Sequence, residues 1–252
     1  MRKTAFFTVV PVLACAVILI AASALPAGDI DFLIPGVSLE TVSFEPGSSV
    51  QYLIISEAYG VLDTTMAGLG VIESEKDSFL LEIVSSSWPV MSSETVAVRL
   101  WLSPDIISAG SAEDVRASIR SIIVRMGEDD FREPSAEEIE DFGLERLFLS
   151  FDGETERREL GEETVETPAG DYLCSLAEFY RSSDEMLDLG GVKAVRHEEE
   201  TSRLLVSDDV PFWGLVRSRV ETSSHTRLES SRRKPRPKVT ITESVLISCT
   251  KR

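Results

Sequence analysis

The sequence predicts a mainly β protein, a curved antiparallel sheet or incomplete β-barrel with one amphipathic helix at about 111–126 and a short helix at about 135–142 packed on it. Three observations lead there. Many short runs alternate apolar with polar residues, the period of a half-buried strand. These runs follow one another through short polar connections without crossover helices, which describes antiparallel meanders rather than a parallel sheet. Only the stretch from Ser111 to Met126 spaces its apolar residues as a helix does.

In chain order, alternation begins at Val37 and runs to Phe44, and the Glu45-Pro46-Gly47-Ser48 turn follows. Strands are expected at Val50–Ser56, Met66–Ile72, Phe79–Val84 and Thr95–Leu102. Ser111 is a good N-cap, with Asp114 three residues on. Val115, Ile119, Ile122, Ile123 and Met126 then form an apolar stripe that Gly127 stops. Ser135 and Glu138 have the spacing of a capping box for the second, shorter helix. Strand signals resume at Leu147–Phe151, and the charged segment Asp152–Glu163 reads as a solvated turn or hairpin tip. The turn Pro168-Ala169-Gly170-Asp171 leads into a strand at Tyr172–Tyr180, and Ser182–Gly191 reads as loop. Val192–Val206 holds further strands, Val210–Val216 is kinked at Pro211 and Gly214, and Val216–Glu229 with Lys238–Cys249 makes a final hairpin. No internal repeat stands out. The expected organisation is one β-rich domain, 37–252, with a helical insertion at about 104–143, after an extended leader at 25–36.

Residues 1–24 have the form of a secretory signal peptide. Arg2 and Lys3 precede an uncharged apolar run from Thr4 to Ala22, and Ala22-Ser23-Ala24 supplies a small-x-small cleavage triplet. This places the mature chain outside the cytoplasm, periplasmic or extracellular. Two alternatives tether it to a membrane instead: retention of residues 5–22 as an anchor, or lipid attachment at Cys15 within Val12-Leu13-Ala14-Cys15.

The chain carries 25 basic and 43 acidic residues, for a net charge of −18. Removing the signal takes away two of the basic ones. Such a surface repels nucleic acid and anionic headgroups and favours cationic partners. Cys174 and Cys249 remain after cleavage in a compartment that tolerates disulfides, so they are a candidate bridge, the other reading being two buried thiols.

No constellation assigns a reaction. His197 and His225 are the only histidines, and His197-Glu198-Glu199-Glu200 lacks the second histidine of a helical zinc motif. A site made from both histidines and a carboxylate requires their strands to pair; two exposed strand histidines is the simpler reading, and no metal or cofactor is assigned. The acidic runs lack the ligand spacing of a calcium loop. There is no Gly-x-Ser-x-Gly elbow and no phosphate-binding glycine loop. A carboxylate-based hydrolase is the third and least favoured function. Arg232, Arg233, Lys234, Arg236 and Lys238, interrupted by Pro235 and Pro237, form a stiff basic loop with two readings, a soluble hairpin tip or a contact for an acidic partner or lipid headgroup. Trp88, Trp101, Phe212 and Trp213 lie in or beside strand patterns and are the candidate ligand-lining residues, with core packing as the other reading.

Two segments carry a family resemblance: Glu166-Thr167-Pro168-Ala169-Gly170-Asp171-Tyr172-Leu173-Cys174, and Val206-Ser207-Asp208-Asp209-Val210-Pro211-Phe212-Trp213-Gly214-Leu215-Val216. They resemble the turn-and-strand patterns of uncharacterised exported bacterial β-proteins similar to the LolA, LolB and LppX lipoprotein-carrier architecture. The resemblance covers about the last third of the chain. It implies a curved antiparallel sheet wrapped around helices and sheltering acyl chains, with no catalytic residues to transfer. The expected function is a non-enzymatic exported envelope protein that binds an apolar small molecule or lipid chain on the concave face. The alternative is a structural or protein-interaction module of the envelope, with an envelope protein as partner and no cavity.

Overall fold

The computed structural model describes residues 44–89, 94–136, 138–139, 148, 155–188, 193–228 and 235–251. The signal segment, the leader, the expected strand before Phe44 and basic-loop residues Arg232, Arg233 and Lys234 lie outside the described residues. So does most of the run expected at Leu147–Phe151.

Ten strands form one antiparallel sheet. They are β1 (Ser49–Ala58), β2 (Val61–Glu75), β3 (Ser78–Ser87), β4 (Val96–Leu102), β5 (Ile119–Met126), β6 (Thr155–Thr167), β7 (Gly170–Asp188), β8 (Lys193–Val206), β9 (Leu215–Leu228) and β10 (Lys238–Thr250). The spatial order is β5-β4-β3-β2-β1-β10-β9-β8-β7-β6. Two meanders therefore run outward from a central seam between β1 and β10, and the sheet does not close: β5 and β6 are its edges.

Local chemistry explains the hairpins. The β1–β2 turn places Tyr59 and Gly60 at φ 56° and 76°, the paired positive φ of the two-residue turn whose twist matches its strands. Between β6 and β7, the Thr167 hydroxyl accepts from the Ala169 N–H at 3.2 Å and donates to the Gly170 carbonyl at 3.0 Å. This fixes the turn the sequence predicts there.

The structure corrects the expected long helix. Ser111 does cap a helix, its hydroxyl oxygen accepting from the Asp114 N–H at 3.2 Å, but that helix, α1, is only Ala112–Ser118. The Ser118 hydroxyl turns back to the Asp114 carbonyl at 2.9 Å, and the Ser118 carbonyl accepts from the Ser103 N–H at 2.8 Å, which ends α1. Ile119–Met126 then pairs with β4 as an edge strand. Ile119, Ile122, Ile123 and Val124 are β-branched and suit a pleated surface. Nor does α1 lie along the concave face as a long cover; it packs beside a 3-10 helix, Pro104–Ser108, and sends Val115 into the core next to Ile106. The capping box at Ser135 does form: the Glu138 carboxylate accepts from the Ser135 N–H at 2.8 Å, and the Ser135 hydroxyl accepts from the Glu138 N–H at 3.2 Å. Two segments read as loop are strand. Most of Asp152–Glu163 belongs to β6, and Ser182–Asp188 extends β7.

The core has members on every strand from β1 to β10 and is fullest over β1–β4. Inward residues of β1–β4, among them Val50, Leu69, Leu81 and Leu100, join Val124 of β5, Ile106 and Val115 in a single cluster. From the β8–β9 connection Val210, Phe212 and Trp213 enter the same cluster. Phe44 stacks on Phe79 at 4.7 Å and meets Phe212 at 5.9 Å. Tyr52 of β1 donates its hydroxyl to the Leu215 carbonyl of β9 at 2.9 Å, reaching past β10, which lies between them in the sheet. Among the described residues no helix is long and apolar enough to cross a membrane.

Candidate functional site

Beyond Leu215 the inner side changes character. A cavity of about 280 Å³ opens there over β7–β10. Its apolar residues are Ile54 of β1, Leu215 and Val220. Hydroxyls dominate the rest: Ser218, Thr222 and Ser224 of β9 face Thr240, Thr242 and Ser244 of β10. Strand alternation sets this wall, because every second residue of β9 and β10 points inward.

Cross-strand register places these side chains in rows. Arg181, Glu200, Thr222 and Thr240 pair in turn across β7, β8, β9 and β10. Arg181 donates to Glu200 at 2.6 Å, and Glu200 also accepts from the Ser202 hydroxyl at 3.0 Å. Glu200 is buried, so its charge is held by these partners rather than by water. Ser218 and Ser244, opposite one another, share a hydrogen bond of 2.7 Å. Ser56 and Thr242 share another of 3.1 Å. Arg196 pairs with Glu198 at 2.9 Å, and Lys238 sits 5.3 Å from the ring centre of Tyr59, so both basic groups stand on the cavity wall. The arrangement can grip a molecule with several hydrogen-bonding groups and a short apolar portion.

The residues singled out from sequence fall in several places. Phe212 and Trp213 are buried in the packed region, and neither lines the cavity. Phe212 adopts φ 63° and Gly214 φ 72°. A Cβ on Gly214 would lie 2.7 Å from the Ser207 carbonyl oxygen, so the kink needs glycine. Trp101 is half-buried on β4, and Trp88 is 52% exposed after β3; neither lines the cavity. Of the basic loop, Lys238 is on the cavity wall and Arg236 is exposed.

Cys174 and Cys249 are both free thiols in the structure, and the fold brings each against Tyr172. Cys174 donates its thiol to the Tyr172 carbonyl at 3.6 Å, and the Tyr172 hydroxyl reaches Cys249. Burial raises the pKa of both thiols, which favours their protonated form. Burial likewise pushes up the Tyr52 phenol. Asp114 is held below the ordinary carboxylate range by the Ser111 hydroxyl, and Glu138 is lowered to about 2, first by its bond with Arg132. Neither is suited to act as a general acid near neutral pH.

The hydroxyl wall is what sequence reading missed. Its signal was present, since β9 and β10 keep their alternation but put Ser and Thr at the inward positions where a core strand carries Val or Leu.

Fold and site together define an open, curved antiparallel sheet with one packed region and one polar hollow. No protein-family model matches the chain, and no curated protein matches it. Several solved structures are similar at low identity. A candidate lipoprotein from Parabacteroides distasonis is 11% identical, with 83% of this chain and 97% of that one covered at a TM-score of 0.34. A DUF1329 family protein from Desulfovibrio piger is 12% identical over 87% and 90% at 0.31. A LolA superfamily protein from Nitrosomonas europaea is 11% identical over 92% and 94% at 0.26. At these values the likenesses transfer no function to this chain.

Proposed function

We propose that this is an exported, non-enzymatic protein of the cell envelope that holds one amphipathic small molecule, of the lipid class, in the hollow over β7–β10. The observation that carries the reading is the lining. Ile54, Leu215 and Val220 give a hydrocarbon portion a short apolar floor, while the Ser and Thr rows bond its polar portion. Lys238, the start of β10 and the end of the basic stretch, adds a cation on the same wall for an anionic headgroup. A full acyl tunnel is not needed, because the remaining apolar inner surface is already covered by Phe44, Phe212 and Trp213.

Export rests on the Arg2-Lys3 head, the apolar run and the Ala22-Ser23-Ala24 triplet. The test uses delipidated protein in native mass spectrometry with a fluorescent fatty acid and a lysophospholipid. One-to-one uptake of either, blocked by Thr222→Trp, is expected. Absence of uptake of both, or uptake unaffected by that substitution, would overturn the reading.

A further inference from the structure

On the outer face of the same strands, Asp184, His197 and His225 fall in one register row across β7, β8 and β9. Glu199, two residues further along β8, shares that face. The hollow is on the other side, because its β8 contributors are the alternate residues Arg196, Glu198 and Glu200.

His197 Nδ1 bonds Asp184 Oδ1 at 2.7 Å. A carboxylate in this position fixes the tautomer and orientation of a metal-binding imidazole. It leaves Nε2 as the ring's donor of a lone pair. That atom lies 3.5 Å from Glu199 Oε1, long for a hydrogen bond but matching the ~3.4 Å between two donors on one tetrahedral zinc-sized ion. The His197 and His225 ring centres are 5.2 Å apart. Two imidazoles bound to one such ion place their centres about 5 Å apart. The Tyr180 hydroxyl donates to Glu199 Oε1 at 3.3 Å and steadies that carboxylate. Among the described residues no three donors already surround a single point. Binding requires a ring nitrogen of His225 to turn toward the His197–Glu199 gap.

The geometry points to an outer-face site for a divalent transition cation of the zinc and copper class, ligated by His197 Nε2, Glu199 and His225, with water completing the shell. Asp184 is a positioning residue that acts through His197. The donor set fits that class, since imidazole with carboxylate suits zinc and copper whereas an all-oxygen set suits calcium or magnesium. A net charge of −18 raises the local concentration of any cation. The site is separate from the hollow and does not depend on what the hollow binds.

The test titrates the full-length, untagged chain with cobalt(II) and follows the visible bands of a four-coordinate ion, then displaces it with zinc. One cobalt per chain is expected, displaced stoichiometrically. His197→Ala and His225→Ala should each remove the bands, while Asp184→Asn weakens binding about tenfold as an outer-shell change. These side chains are at least partly exposed, and a melting curve for each variant confirms folding. Absence of the bands in the parent, or bands that persist with unchanged affinity in both histidine variants, would overturn the assignment.

Discussion

From β1 to β4 the inward positions are mostly apolar, as are Val216 and Leu246 at one end of β9 and β10, and other parts of the chain are folded down to cover them. Farther along β9 and β10, beyond these two residues, the same alternation points Ser and Thr inward, and the space above them stays open. The strand geometry is shared, so the difference lies in the side chains alone. An apolar surface recruits a cover because each buried methylene contributes about 0.8 kcal/mol. A hydroxyl surface has no such drive, and its partners come from neighbouring strands, as with Ser218 and Ser244. The inner side thus divides into a packed region that supplies stability and an open end of β7–β10 that is left available.

That division can be broken by substitution. Leu100→Ala empties a fully buried position in the packed region and should cost about 3 kcal/mol in urea unfolding. A loss under about 1 kcal/mol would mean this region is less tightly packed than its burial implies. Gly214→Ala attacks the cover rather than the sheet. A methyl group meeting the Ser207 carbonyl at φ 72° should cost about 2 kcal/mol, and the near-ultraviolet dichroism of Trp213 should change with it. At the open end Glu200→Ala removes the carboxylate that accepts from Arg181 and from the Ser202 hydroxyl, for about 1.5 kcal/mol. It should also alter the proposed uptake of a fatty acid or lysophospholipid, which Leu100→Ala should not do at temperatures where that variant is folded. The smallest effect is at the flank of the packed region, where Arg132 and the Ser135 N–H hold Glu138 down to about 2 from an ordinary 4.5. Its contribution is complete above 4.5 and is lost as pH falls through about 2. The difference in melting temperature between the parent and Glu138→Gln should therefore be constant near neutrality and shrink below pH 4.5. A difference that grows on acidification would refute the pairing.

Much of the sheet was legible in the sequence because alternation, turn residues and strand length agreed. The final hairpin and the Pro168–Gly170 turn lie where those signals put them. The failures have two causes. Ile119, Ile122, Ile123 and Met126 satisfy a helical period, but the free edge of β4 offers Ile119–Met126 a ladder of backbone bonds, and tertiary pairing overrides a short apolar pattern. Thr155–Glu163 carries too many charges to look like a strand, yet at the sheet's edge it is exposed and its charges stay in water. The inward Ser and Thr of β9 and β10 were legible as a pattern, but the place of the aromatic residues was not. Whether an aromatic such as Trp213 lines a cavity or fills a core depends on which face of a distant strand meets it, and one chain's local pattern does not record that.

The seam between β1 and β10 has a consequence for the order in which the chain takes shape. Each meander is built from strands adjacent in sequence and can zip up locally soon after it is made. The seam cannot, because its paired residues, such as Ser56 and Thr242, are 186 positions apart. Among the described strands, the one at the middle of the finished sheet is therefore the first made and the last to gain its second neighbour. Until β10 is complete, β1 presents a bare backbone edge to anything nearby. Rapid completion of β10 limits the time for which that edge can pair with another chain.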